Sequence, residues 1–171
     1  EDCLSPERAP RLRRALEAQR PAWEPGRMQG YHAITFGMYA RELFELHTLG
    51  SDSYLKLYDD RDGVGTITYN GKTYARGYID RDVYEAARCL SGWTLNDGHW
   101  EHPQPNDGTF LFYNNWHDNA LKIVLGVTFN YNQGINDGLK LFTLLSEHPG
   151  TARHICAKLC RRLVADNPPA A

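Results

Sequence analysis

Over residues 37–47 the apolar positions recur with helical spacing. At about 100° per residue, Tyr39, Ala40, Leu43, Phe44 and Leu46 share one broad face, while Arg41, Glu42 and Glu45 lie opposite it or at its margin. Gly50 supplies a stop. The period then changes to two. Thr66, Ile67, Thr68, Tyr69 and Lys72, Thr73, Tyr74, Ala75 flank Asn70-Gly71. Both residues of a two-residue hairpin turn need positive φ, so Asn-Gly between β-prone runs predicts an antiparallel hairpin over 64–77, pairing 67–69 with 72–74. A second helix is expected from Asp80, as its cap, to about Ser91, with Val83, Ala86, Ala87 and Leu90 inward. Residues 94–136 are loop-rich, with a strand over 109–113 and a short apolar run over 123–125. A third helix is expected over 137–147 and a fourth from Pro149 to about Val164; its stripe of Ala152, Ile155, Cys156, Leu159, Cys160 and Leu163 reads as core-facing. The expected fold class is mainly α, about four helices with one or two inserted β-hairpins. It forms a single helical domain over 36–166, preceded by an extended N-terminal arm over 1–35, with room between prolines for one short helix over 11–19, and followed by a tail over 167–171.

Composition changes this picture little. The chain has 171 residues, 42% hydrophobic and 23% charged, the balance of one globular domain large enough to bury a core without metals or disulfides. No run approaches the roughly 18 apolar residues of a membrane span, and the first thirty positions hold no charged-then-apolar leader pattern. A net charge of -2, from 19 Lys and Arg against 21 Asp and Glu, gives no field to recruit nucleic acid. The charge is uneven, since residues 51–120 hold eleven acids and six bases, a net of -5. Such a middle suits a cation, a basic partner or a solvated face.

His47 stands out among chemical candidates because it falls in the middle of the apolar face of the first helix, either as a satisfied core residue or pointed into a pocket. Either reading predicts that it is buried and hydrogen-bonded. A buried neutral imidazole would serve as a base or a metal ligand, with Glu42 as an orienting carboxylate. Arg41 and Glu45 stand at i,i+4 and read as a structural pair. The loop over 93–118 concentrates the rest. His99 and His102 at i,i+3, with His117 further on, are weak candidates for a divalent metal, because Pro103 and Pro105 argue against a helix between them. His117-Asp118 would need a tight turn to act as a base with its carboxylate. Trp93, Trp100, Tyr113 and Trp116, beside carboxylates and amides, suit stacking on sugar rings or other flat polar ligands. Over 59–63 the acids resemble half a calcium loop, but Tyr58 and Tyr69 stand where an EF-hand needs carboxylates. No Gly-x-Ser-x-Gly elbow and no Gly-rich phosphate loop occurs.

Four blocks in order resemble one bacterial family, the domain-of-unknown-function 1800 proteins. They are Tyr39 to Gly50; Asp82-Val83 with Ala86 to Thr94; His117-Asp118 with Lys122 and Val124-Leu125-Gly126; and His148 to Arg153 with Ala157-Lys158-Leu159. Members are large, exported, mainly helical bacterial proteins, so the resemblance implies an extracytoplasmic location, periplasmic or secreted, and covers only the C-terminal part of such a protein. It implies no established reaction. Given export, Cys156 or Cys160, one turn apart and poorly placed to bridge each other, is expected to pair with Cys89, or failing that with Cys3. The function expected is that of an accessory envelope or extracellular module that binds a polymer or protein partner through the aromatic-rich loop, without a cofactor and without nucleic acid. The alternatives are a hydrolase or metal-dependent enzyme using His47 or His117 with a carboxylate, and a structural piece whose apolar seam packs on the remainder of a larger chain.

Overall fold

A computed structural model of the chain describes residues 36–101 and 106–165. The arm over 1–35 with Cys3, His102 and the tail over 167–171 lie outside the described residues. The elements run α1 (Phe36–Glu42), which continues as a π turn (Leu43–His47), then β1 (Thr66–Tyr69), β2 (Lys72–Ala75), α2 (Asp80–Cys89), β3 (Trp93–Leu95), β4 (Phe110–Phe112), β5 (Lys122–Val124), β6 (Val127–Phe129), α3 (Ile135–Glu147) and α4 (Pro149–Leu163). Six short strands pair as three antiparallel hairpins, β1-β2, β3-β4 and β5-β6. Among the described residues the architecture is therefore an α+β mixture, not the mainly α fold that helical periodicity suggested, although four helices are present. Strands of three residues are too short to show alternation, which is why β3 and β6 left no readable period.

The hairpin expected at Asn70-Gly71 forms. Asn70 and Gly71 adopt φ of 49° and 73°, and Ile67 pairs with Tyr74 and Tyr69 with Lys72. A second two-residue turn of the same kind joins β5 to β6 through Leu125 and Gly126, at φ of 51° and 76°. Leucine is poorly suited to the left-handed region, at a cost of roughly 1–2 kcal/mol. What holds it there is Asp82, whose Oδ1 accepts from the Leu125 N–H at 2.7 Å. The same carboxylate caps α2, its Oδ2 accepting from the Ile79 N–H at 3.0 Å. Capping thus falls to the third helical residue rather than to Asp80, whose Oδ1 accepts from the Tyr54 hydroxyl. Arg61 completes the knot, donating to Asp82 Oδ1 and to the Ile123 carbonyl, each at 2.7 Å.

The core gathers around α2, with Val83, Ala86 and Cys89 packed among Phe44 and Leu49 of the first segment, Tyr78 of the link before α2, Val124, Leu125 and Phe129 of the β5-β6 hairpin, and Leu141 and Leu145 of α3. Phe44 and Tyr78 meet at 5.1 Å between ring centroids. Two expectations about faces fail. The π turn takes more residues per revolution than an α-helix, so the face drifts: Phe44 stays buried while Leu46 and His47 rotate into solvent. Thr48 closes the turn, its hydroxyl donating to the Leu43 carbonyl at 2.8 Å. In α4 no residue is buried, and the apolar stripe taken as core-facing is exposed throughout. Cys156 and Cys160 stand in solvent while Cys89 is sealed in the core, and all three are free thiols, so the expected cross-link to Cys89 does not form. Among the described residues no helix is long and apolar enough to cross a membrane.

His148 joins α3 to α4 and is 2% exposed. Its Nδ1 accepts from the Gly150 N–H at 3.0 Å and its Nε2 faces the Ala75 carbonyl at 2.9 Å, a pattern that needs the neutral ring protonated on Nε2. Burial holds it below the usual imidazole value, against the Ala75 carbonyl, which favours the charged ring.

Two stability measurements test this account. Asp82→Ala leaves the Ile79 and Leu125 N–H groups without their acceptor and is expected to cost about 3 kcal/mol; a loss in urea unfolding below about 1 kcal/mol would show that the knot is dispensable. The native-state lowering at His148 contributes stability that is whole above about pH 6.5, the unfolded value, and is lost as the pH falls toward the folded value. The unfolding midpoint should therefore drop as the pH falls below about 6.5, and His148→Leu should remove part of that slope; an unchanged slope contradicts the assignment.

Candidate functional site

The residues nominated by the sequence fall into three separate places. On the first segment, Arg41 and Glu45 form the expected pair, Nε to Oε1 at 2.6 Å. The side chain of His47, two residues on, is exposed and has no hydrogen bond among the described residues. A base or ligand at this point would lack a pocket, and the expectation that His47 is buried and hydrogen-bonded is overturned.

The second place is a buried polar cluster beneath β5. His117 and Asp118, adjacent in sequence, turn to opposite sides. Asp118 faces Arg88, accepting from Nε at 2.7 Å and from Nη2 at 3.2 Å, while Arg88 Nη1 reaches Glu85 at 2.5 Å. Hydrogen bonding to the Arg88 guanidinium holds the Asp118 carboxyl down at about 2. His117 instead turns inward, its side chain fully enclosed. Nδ1 lies 2.8 Å from the Ser91 carbonyl and Nε2 lies 3.1 Å from Asp137 Oδ2, so each ring nitrogen faces an oxygen acceptor. Lys122 approaches the same Asp137 oxygen at 2.8 Å and donates its other two N–H groups to the carbonyls of Ala120 and Asp118. The ammonium is fully hydrogen-bonded with its side chain out of solvent, which is what a buried lysine requires. Burial pushes the nearby Cys89 thiol up to about 12, so no thiolate forms there at neutral pH. The arrangement compensates charge within the core through Asp137 Oδ2, while the buried Asp137 Oδ1 has no hydrogen-bond partner among the described residues. Lys122 and Asp137 were not among the residues nominated for chemistry. Asp137 carries a signal in retrospect, an acid in the first turn of a helix that opens with Ile135.

The third place is aromatic. β3 and β4 pair Trp93 with Phe112 and Leu95 with Phe110. Trp93 turns toward α3, meeting Phe110 at 5.1 Å and Phe142 at 5.6 Å. It lies so close over Gly138 that a Cβ there would come within 2.4 Å of the indole, so Trp93 is a packing residue. Trp100, Tyr113 and Trp116 do come together, with His99 between them. Ring centroids stand 5.1 Å apart for Tyr113 and Trp116, 5.1 Å for His99 and Trp116, and 5.6 Å for His99 and Trp100. Glu101 locks the group: its Oε2 accepts from Trp116 Nε1 at 2.6 Å and its carbonyl from the Tyr113 hydroxyl at 3.1 Å. His99 Nδ1 accepts from the Glu101 N–H at 3.2 Å. Trp100 is 79% exposed on top of this platform. Among the described residues no group of three His, Cys, Asp or Glu is gathered to hold a metal ion.

A groove of about 400 Å³ lies apart from all three, between the β1-β2 hairpin and the β5-β6 turn, lined by Arg61, Asp62, Thr66, Tyr74, Leu125 and Gly126. None of the nominated residues lines it, and Arg61 is already bound to Asp82.

A family model described as protein of unknown function (DUF1800) matches residues 39–171. The chain belongs to that family. Neither the curated proteins nor the solved structures hold a significant match to it. The family match spans the first segment, the buried cluster and the aromatic platform alike.

The structural role of the cluster has its own test. Asp137→Asn strands Lys122 and His117 without their carboxylate and is expected to destabilise by about 3–5 kcal/mol, whereas Asp137→Leu combined with Lys122→Met should recover much of that loss, because an apolar pair needs no compensation. A double variant less stable than Asp137→Asn alone would refute the assignment.

Proposed function

We propose that this domain of the family is an extracytoplasmic accessory module that binds a polysaccharide through the platform formed by His99, Trp100, Tyr113 and Trp116. The observation that carries the reading is Trp100, an indole 79% exposed yet seated beside rings fixed by Glu101. An exposed tryptophan costs solvation unless something covers it. Rigid, edge-anchored rings lose little entropy on stacking against the flat face of a sugar, and Asp97, Asn115 and Glu101 stand in the same loop as polar partners for hydroxyl groups. A hydrolase or metal-dependent reading centred on His117 gains no support from a ring enclosed by Ser91 and Asp137. The extracytoplasmic placement rests on the family likeness, since Cys89, Cys156 and Cys160 carry no disulfide.

Sedimentation with insoluble cellulose, chitin and peptidoglycan tests the proposal. At least one should carry the protein down, and Trp100→Ala should weaken that binding about tenfold while Tyr131→Ala, an exposed ring remote in sequence from the loop, leaves it unchanged. Equal binding by native protein and Trp100→Ala, or no binding to any of the three, overturns it.

A further inference from the structure

Helix α4 is an amphipathic helix without a covering partner among the described residues. Ala152, Cys156, Leu159 and Leu163 are spaced by four, three and four residues, the alternation of steps that lines up one seam to face a second helix. Ile155 widens the seam on one side. Its members are exposed, Leu159 by 53% and Leu163 by 77%. The helix is held by its start and by one edge only. His148 caps it, the Thr151 hydroxyl donates to the Leu145 carbonyl at 2.7 Å, and Lys158 Nζ donates to the Leu46 carbonyl at 2.8 Å. Beyond that edge, Arg153 and Arg162 flank the seam, one on each side, and α4 contains no acid at all.

Charge selects the occupant. A second copy of α4 would bring Arg153 and Arg162 against themselves, at the flanking positions where like charges oppose pairing. Residues 7–20 of this chain carry Arg8, Arg11, Arg13, Arg14 and Arg20 against Glu7 and Glu17, the same sign as α4. A membrane surface would accept the two leucines, but interfacial helices draw on Trp and Phe as well, and this seam holds only Ala152, Cys156, Leu159 and Leu163. We propose that α4 is a docking helix for a protein partner that presents an acidic amphipathic helix, whose apolar residues fill the Ala152, Cys156, Leu159, Leu163 seam while its flanking carboxylates meet Arg153 and Arg162. This surface is distinct from the aromatic platform, and its use does not depend on polysaccharide binding.

The experiment uses the full chain and a fluorescein-labelled synthetic helix of about three heptads, with leucine at its apolar seam and glutamate at the flanks, read by fluorescence anisotropy. Saturable binding is expected. Leu159→Asp should weaken it at least about tenfold without lowering the unfolding temperature, because Leu159 is already solvent-exposed. Arg153→Glu with Arg162→Glu should lose the glutamate-flanked helix and gain one flanked by lysine. With oxidised glutathione added as the oxidant, a single cysteine at a central seam position of the synthetic helix should form a disulfide with Cys156 in preference to Cys160. Binding that ignores Leu159→Asp, a disulfide that favours Cys160, self-association of the chain lost in Leu159→Asp, or Leu159-dependent binding to phosphatidylglycerol vesicles without binding to the synthetic helix would each overturn the proposal.

Discussion

Two buried carboxylates at equivalent positions of two helices hold the middle of this domain together. Asp82 and Asp137 are each the third residue of their helix, α2 and α3, and each is 1% exposed. A helix start favours negative charge and presents free N–H groups, so a carboxylate there is less costly to bury than elsewhere. Both then reach across to the same hairpin. Asp82 takes the N–H of Leu125 at its turn, and Asp137 takes the ammonium of Lys122 at its base. The β5-β6 hairpin, of only three residues per strand, is thus clamped at both ends by the helices it packs between. Hairpins of this length have little stability of their own. The left-handed leucine, the buried lysine and the enclosed His117 all follow from that clamp.

The same constraint explains which parts of the fold were legible. The hairpin at Asn70-Gly71 was readable because both turn residues adopt positive φ at little cost. The turn at Leu125-Gly126 has almost the same dihedral angles but is invisible locally, since leucine accepts them only when Asp82, 43 residues earlier, supplies an acceptor and the core receives its side chain, 5% exposed. Helix extents were read well because α2, α3 and α4 run for 10, 13 and 15 residues, long enough to show a period. The position of His47 was not, because a wheel drawn at 3.6 residues per turn cannot anticipate a π turn closed by Thr48.

At the candidate sites, legibility divided by chemistry. Residue types in the 93–118 loop pointed to aromatic stacking, and three of the four nominated rings do assemble, because their grouping needs only a local chain reversal between β3 and β4. Trp93 departs because it lies on the strand itself, where its side chain belongs to the face that α3 covers. His117 and Asp118 were attractive as a pair, yet neighbours on extended backbone point to opposite faces. His117 has φ and ψ of -83° and 135°, and such backbone sends one side chain to Asp137 and the next to Arg88.

The amphipathic pattern of α4 makes the converse case. A stripe at helical spacing states that a helix has an apolar face, and nothing in it states what that face meets. Within this domain the competition for the core is settled by α2, whose buried side includes Val83, Ala86 and Cys89, and by Leu141 and Leu145 of α3, which close over it. α4 follows α3 after a single residue, His148, whose hydrogen bonds to Ala75 and Gly150 fix the corner. From that corner the helix leaves along the edge of the domain, tethered by Lys158 to the end of the π turn. Its polar side supplies the tether, so its apolar side must look outward. An exposed seam carrying Leu159 and Leu163 is therefore a consequence of where the buried histidine turns the chain.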